Sequence, residues 1–287
     1  DNMVSRKVCS LGSINLDFTI QTHSLPTAGN TVGGGHFNTF PGGKGANVAL
    51  ATKKMGVDTT LLGAVGNDDF ANEALVLLKK SGVDLSNLVI FDDVSTGIAF
   101  INVDESGENQ IAVASGANAN FFPEHIGAID SDGIITQFEI PLETIFKAIK
   151  DYKGFVAINP SPVLDGLDKL LPYASVIIVN EGEYQAYAET LSSYTGLLAV
   201  TKGAEGAVLF KNKITVASIK PPQMKAIDTT GAGDCFAAAL SISLMEGKSY
   251  EEALEFACAA GALVTQKVGT QPAMPSRPEI EKLSSTF

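Results

Sequence analysis

The run Asp228-Thr229-Thr230-Gly231-Ala232-Gly233-Asp234 sets two carboxylates on either side of a turn of small residues. A strongly apolar helical pattern, Cys235 to Met245, follows at once. A Gly-Ala-Gly turn leaves backbone N–H groups bare, and at a helix N-terminus such groups have no intrahelical partner. The helix dipole adds roughly half a positive charge there, which makes the turn an anion site. A carboxylate fixed at that spot would be wasted as an anion ligand. It makes sense as a base that takes a proton while neighbouring amides hold the negative charge that develops. The chemistry predicted is phosphoryl transfer.

Other constellations could serve the same chemistry. Pro41-Gly42-Gly43-Lys44-Gly45-Ala46-Asn47 leads into a helical pattern. Its glycines let backbone approach a ligand, Lys44 can hold a charge, and Asn47 offers a donor and an acceptor from the first turn. A Gly-rich turn without a ligand is the plainer reading. It is not a P-loop, because Gly45 follows Lys44 where Ser or Thr is required, and no third glycine completes a dinucleotide fingerprint at 231–233. In Asn15-Leu16-Asp17, alternation sends Asn15 and Asp17 to one face, where an amide and a carboxylate suit the vicinal hydroxyls of a sugar. Turn chemistry explains the pair equally well. Glu139, at the end of a strand pattern, points into a crevice or caps the helix opened near Pro141. In Asn180-Glu181-Gly182-Glu183 the acids either orient waters around Mg²⁺ or favour a helix N-terminus. His23, His36 and His125 stand apart with no ligand spacing, which disfavours metal-site and triad chemistry. Cys235 beside Asp234 reads as a small apolar helix residue more readily than as a redox handle.

These residues need a frame. Strand-like and helix-like segments alternate: strands at 8–14, 60–65, 134–138, 156–158, 176–179 and 197–200, and helices at 45–55, 68–80, 141–152, 181–191 and 251–267. Such alternation predicts a mostly parallel sheet covered on both faces. Two stretches, 18–40 and 96–115, read as β with turn signals. They form either a small sheet over the crevice at the strand C-termini or a pair of surface hairpins.

With 287 residues and 45% hydrophobic content, the chain can bury a full core. A formal charge of −12 argues against nucleic acid and requires a polyanionic substrate to be held by local amides, Lys and metal. Cys9, Cys235 and Cys258 are few, odd in number and set among apolar residues, so they read as reduced thiols of a cytoplasmic protein. No apolar run approaches the ~20 residues of a membrane span, and residues 1–7 carry no signal-peptide pattern. Residues 1–3 read as a remnant of expression.

Asn15-x-Asp17, the Gly-Gly-Lys-Gly-Ala-Asn of 42–47, Gly116-Ala117-Asn118-Ala119, Asn159-Pro160-Ser161-Pro162 and Asp228 to Asp234 occur in one order along nearly the whole chain. In these motifs and their order the chain resembles the ribokinase (PfkB-type) carbohydrate kinase family. The resemblance implies a three-layer α/β/α sandwich with a mostly parallel central sheet and a small β-sheet lid. The lid would come from about 15–40 and 96–116 of a single kinase domain spanning 1–287, with a homodimer joined through the lids. It also implies ATP-dependent phosphorylation of D-ribose at its 5-hydroxyl. The alternatives are another sugar or nucleoside, such as fructose, deoxyribose, adenosine or pseudouridine, and, last, a non-catalytic sugar-binding protein.

Carried over by position, Asn15, Asp17, Gly43, Lys44, Asn47 and Glu139 resemble the family's sugar contacts. Asp234 resembles its base, and the Gly231, Ala232 and Gly233 amides its anion hole. Asn180 and Glu183 match the element that serves phosphate and Mg²⁺, the latter through water. Thr201, Lys202, Gly203 and Gly206 match the nucleotide loop, with Gly233 and Cys258 also on the nucleotide side. Asp228, Thr230, Val264, Lys267 and Gly269 match a monovalent-cation site built mainly of carbonyls, which implies K⁺ as activator. Ala273 stands where Ser is common in that site, and Cys258 where some members place His near the adenine. The crossover between Glu183 and Thr201 looks trimmed by a helix.

Overall fold

The computed structural model describes residues 6–287; the reading of residues 1–3 as a remnant lies outside them. Eight strands form the central sheet, in the order Ile214–Ile219, Ala207–Lys211, Leu197–Thr201, Val176–Asn180, Phe155–Asn159, Gly133–Gln137, Lys7–Leu11, Asp58–Leu62. The strands from Leu197–Thr201 to Asp58–Leu62 run parallel, and the first two named add antiparallel at the edge.

The parallel strands read as unbroken apolar runs because both faces are buried. Along Val176-Ile177-Ile178-Val179 successive side chains enter opposite cores, Val176 and Ile178 in one, Ile177 and Val179 in the other. The first core packs the sheet against Lys44–Lys54, Ala232–Met245, Tyr250–Val264 and Arg277–Ser284; the second packs it against Leu142–Ile149 and Leu167–Leu170. Ala232–Met245 lies between Lys44–Lys54 and Tyr250–Val264. It is buried nearly all round, which is why its pattern is apolar without a polar face.

The second sheet has the order His36–Gly42, Asn15–Gln21, Gly97–Val103, Asn109–Ala114. Asn15–Gln21 pairs antiparallel with His36–Gly42 and parallel with Gly97–Val103. The two β stretches therefore form one sheet, not separate surface hairpins. Its Asn15 and Gly42 ends enter the site described below. Phe18 stacks on Phe37 and Phe100, with ring centroids 6.0 and 5.3 Å apart, and the latter two rings are exposed.

The structure departs from the expected elements in several places: the strand expected over 8–14 stops at Leu11, and Tyr187 divides the helix expected over 181–191 into Glu181–Ala186 and Ala188–Leu191. The strand expected over 60–65 stops at Leu62 and resumes as Ala64–Gly66, which pairs with Val89–Phe91 away from the central sheet. At the break, a side chain on Gly63 would lie 2.6 Å from the Gly12 carbonyl oxygen. The helix expected over 68–80 starts as predicted, with Asp68 accepting from the Ala71 N–H, but Leu75 divides it into Asp69–Ala74 and Val76–Ser81. The edge hairpin Ala207–Lys211 and Ile214–Ile219 was not anticipated. Its turn residues Asn212 and Lys213 both have positive φ, so it carries a hairpin signal weaker than Asn-Gly.

Candidate active site

Parallel topology brings the predicted motifs to one end of the sheet. Gly43 ends the strand–turn leading into Lys44–Lys54 with φ 91°, and a Cβ there would lie 2.6 Å from the Ser13 carbonyl oxygen and 2.7 Å from the Asn15 nitrogen. Only glycine allows the second sheet and this helix to meet so closely. No side chain of Gly43 caps the helix. Instead the Lys44 N–H donates to Ser13 Oγ (2.9 Å) and to Glu139 Oε1 (3.1 Å), and the Ala46 N–H donates to the Ser13 carbonyl (3.0 Å). Ser13 Oγ in turn donates to Glu139 at 2.5 Å. Glu139 therefore faces the crevice and does not cap Leu142–Ile149, which has no side-chain cap.

Lys44 Nζ lies 3.8 Å from Asp234 Oδ1, and Asn47 Nδ2 donates to Asp234 Oδ2 at 2.9 Å. Asp234 occupies the first turn of Ala232–Met245 and is 4% exposed. Burial pushes its carboxyl up, while Lys44 and the Asn47 hydrogen bond pull it back. The Asp234 charge pushes Lys44 up, which keeps the ammonium protonated. A carboxylate made more basic by burial, with its orientation fixed from two sides, has the properties of a general base. Cys235 Sγ instead sits against the Ala260 carbonyl, and burial pushes that thiol up, away from thiolate reactivity.

At the head of the same helix Gly231 has φ 77° and no side chain caps the end. The Ala232 N–H donates to the Thr229 carbonyl at 3.2 Å, whereas among the described residues the Gly231 and Gly233 amides have no backbone acceptor. Of the three amides expected to form an anion hole, two remain free to bind a ligand. Asp228 Oδ1 accepts from the Thr230 N–H and Oδ2 from the Gly269 N–H, both at 2.9 Å. That carboxylate ties the turn to the loop after Val264 and so joins Thr230 and Gly269, two of the residues predicted for a cation.

Two cavities meet at Gly233. A polar one of about 190 Å³ is lined by Lys44, Asn159, Ser161, Asn180, Glu183 and Asp234 among others. A largely apolar one of about 360 Å³ is lined by Gly203, Gly206, Pro221, Met224, Phe236 and Cys258 among others. Asn180, Thr201 and Gly233 line both. Lys202 is exposed and lines neither. Asn180 and Glu183 form a reciprocal cap: the Asn180 side chain accepts from the Glu183 N–H (2.8 Å), and Glu183 Oε1 accepts from the Asn180 N–H (3.0 Å). The cap holds Glu183 at the cavity wall, so the two readings of this pair are compatible.

Sequence reasoning missed several contributors. Asn118 Oδ1 accepts from the Ile14 N–H (2.9 Å), and its Nδ2 donates to Asn15 Oδ1 (2.8 Å), fixing Asn15 in place. Its motif was visible but its task was not. Ser13 lay inside the strand expected over 8–14, where one small polar residue in an apolar run carries no signal. Pro221, Pro222 and Met224 have no periodicity that would assign them to a cavity.

Asp17 stands out electrically. Among the described residues its carboxylate accepts no hydrogen bond, and burial, with Glu139 nearby, pushes it up to about 7. The unfolded value is about 4, so the folded chain holds a proton over the interval that the unfolded chain has released. The associated stability is full below about pH 4 and is lost as pH rises through about 7. Without ligands, Asp17→Asn is expected to raise the melting temperature at pH 8, by an amount worth about 2 kcal/mol, with the gain shrinking toward pH 5. Thermal melts of both proteins across that range measure it; a gain independent of pH contradicts the assignment.

A buried Asp–Asn pair with a half-buried lysine at a helix N-terminus, beside free amides and between a polar and an apolar cavity, is a phosphotransferase site in form. The pfkB family carbohydrate kinase profile matches residues 5–277. Ribokinase of Bacillus subtilis is 34% identical across 98% of this chain and 100% of its own length. Ribokinase of Thermotoga maritima has a solved structure similar at TM-score 0.88 and 30% identity, covering 98% of this chain and 99% of that one. Arabidopsis thaliana ribokinase, solved in complex with ribose and ATP, gives TM-score 0.81 at 30% identity over 98% and 99%. The chain belongs to the pfkB family of carbohydrate kinases. Its fold is the three-layer sandwich with a small lid sheet seen in ribokinases, and it is a phosphotransferase with an alcohol acceptor.

Proposed function

We propose that the protein transfers the γ-phosphoryl group of ATP to the 5-hydroxyl of D-ribose, giving D-ribose 5-phosphate and ADP. The observation that carries this reading is the placement of Asp234 beside the free Gly231 and Gly233 amides, where the polar and apolar cavities meet. Asp234 takes the hydroxyl proton, and the two amides stabilise charge on the transferring group. Lys44 neutralises charge beside the base. Asn15, Asp17, Asn47 and Glu139, with the Gly43 and Lys44 backbone, hold the sugar. A carboxylate as raised and unsatisfied as Asp17 is suited to accept from sugar hydroxyls. The Arabidopsis relative in complex with ribose and ATP supports this substrate pair.

The apolar cavity takes the nucleotide, with Thr201, Gly203, Gly206 and Cys258 at its wall. Glu183 leaves Oε2 clear of its cap and would orient water on the Mg²⁺ that accompanies ATP. The Thr230, Val264, Lys267 and Gly269 carbonyls would hold K⁺, beside the Asp228 carboxylate that joins the Thr230 and Gly269 amides. Replacing Na⁺ by K⁺ at fixed ionic strength is expected to raise kcat; equal rates would remove the cation from the reading. Two copies pair through the second sheet, whose Phe37, Phe100, Ile111 and Val113 are exposed.

Release of ADP measured with Mg²⁺–ATP and K⁺ against pentoses, hexoses and nucleosides tests the assignment. D-ribose is expected to give the highest kcat/KM. A higher value for another sugar or a nucleoside would replace the substrate, and no release with any acceptor would leave only a sugar-binding protein.

A further inference from the structure

We propose that Gln271 is a positioning residue for the base: it fixes which end of the Asn47 amide faces Asp234. The proposal rests on the reading of Asp234 as base given above. Gln271 Nε2 donates to Asn47 Oδ1 at 3.3 Å, and Asn47 Nδ2 donates to Asp234 Oδ2 at 2.9 Å. The three residues come from the turn Gln271–Ala273, the helix Lys44–Lys54 and the helix Ala232–Met245. They are 1%, 6% and 4% exposed.

The direction of the chain follows from the chemistry of its end. An ionised carboxylate only accepts, so Asn47 must present its NH₂ to Asp234. The Asn47 oxygen then faces Gln271, which must present its own NH₂. This leaves Gln271 Oε1 buried without a partner. An orphaned buried carbonyl is destabilising, and an apolar side chain of the same length would avoid it. The glutamine supplies a donor that such a residue lacks. Gln271 lines neither cavity at the site, so it acts through Asn47. Without its donor nothing holds Asn47 Oδ1 away from the base, so the amide can turn and accept from Asp234 once that carboxyl is protonated, which favours the protonated form.

Several charged or titratable groups face Asp234. Lys44 comes from the helix Lys44–Lys54, Glu139 lies beyond the strand Gly133–Gln137, and Glu183 lies on Glu181–Ala186. Lys44 favours the ionised base, and the two glutamates oppose it. The Asn47 N–H adds to the Lys44 side of that balance, so losing it makes the base harder to ionise.

The test is Gln271→Met, similar in length and without a donor. Its kcat at pH 7 is expected to fall about tenfold, and the acid limb of the single-turnover pH profile to move up by about half a unit or more. Gln271→Leu also lacks the donor, adds no charge, and should move the limb the same way; it carries the measurement if the Met variant does not fold. In an Asn47→Ala background, adding Gln271→Met should leave the limb where Asn47→Ala put it. A wild-type limb in the single variants overturns the proposal, as does an equal shift with Asn47 absent. Failure of the function reading looks different: the unmodified chain phosphorylates no sugar, or Asp234→Asn keeps its turnover.

Discussion

Asp234→Asn is expected to lower kcat by about a thousandfold or more while leaving sugar affinity within about tenfold. A factor of that size is about 4 kcal/mol of lost transition-state stabilisation, within the range ascribed to a positioned base with its electrostatic setting. Asparagine keeps the shape of the side chain and can still accept from Asn47, so the packing around a residue only 4% exposed is preserved. It cannot take the hydroxyl proton. It also leaves the Lys44 ammonium without the anion 3.8 Å away that holds it protonated. Asp234→Ala should be as slow and less stable, because it adds a void to that unpaired charge. Single-turnover ADP formation and equilibrium sugar titration separate the two quantities. Near-native turnover in the Asn variant would refute the base. A sugar affinity lowered beyond a hundredfold with turnover intact at saturation would reassign Asp234 to ground-state binding.

How far the molecule could be read from its sequence depends on where the information lies. The parallel strands were legible because burial on two faces demands continuous apolar runs, and Val176-Ile177-Ile178-Val179 supplies both cores in turn. The hairpin at 207–219 was not. Ile214 and Val216 are exposed, and an edge strand with one wet face leaves a faint pattern. In the site, Lys44, Asn47 and Asp234 were each visible as local motifs, since glycine-rich turns before apolar helices are local facts. That Asn47 and Asp234 share a hydrogen bond across 187 positions is a property of the packing of Lys44–Lys54 against Ala232–Met245. Ser13, Asn118 and Gln271 show the limit most plainly. Each is a common polar residue whose task exists only in contact with a distant backbone or amide. The Ala232 amide makes the same point at shorter range: its bond to the Thr229 carbonyl depends on how tightly the turn closes, which residue types do not reveal.

Gly231→Ala tests the other half of the site and should be nearly as damaging. Gly231 has φ 77°, a region that costs alanine roughly 1 kcal/mol. The larger effect is steric. A methyl there would lie 1.9 Å from Thr270 Cγ2 and 2.6 Å from Thr270 Oγ1, so the turn and the 270 loop must separate. The two free amides sit on that turn, and the Asp228 bond to Gly269 spans the same gap. Misplacing one preorganised donor costs about 3 kcal/mol, so kcat should fall by about a hundredfold or more. Because the cause is Thr270, Gly231→Ala combined with Thr270→Gly should recover at least about tenfold, a rescue that a purely conformational defect would not give. Gly233 supplies the contrast. Beyond its chain neighbours and its own helix backbone, its added methyl meets nothing within 4 Å, yet the residue lines both cavities. Gly233→Ala should therefore melt like the parent protein, and its loss should appear in the KM for ATP. Rates for Gly231→Ala within about threefold of the parent would mean that the turn does not carry the developing charge. The Lys44 ammonium, 3.8 Å from the base, would then be left as the group that must.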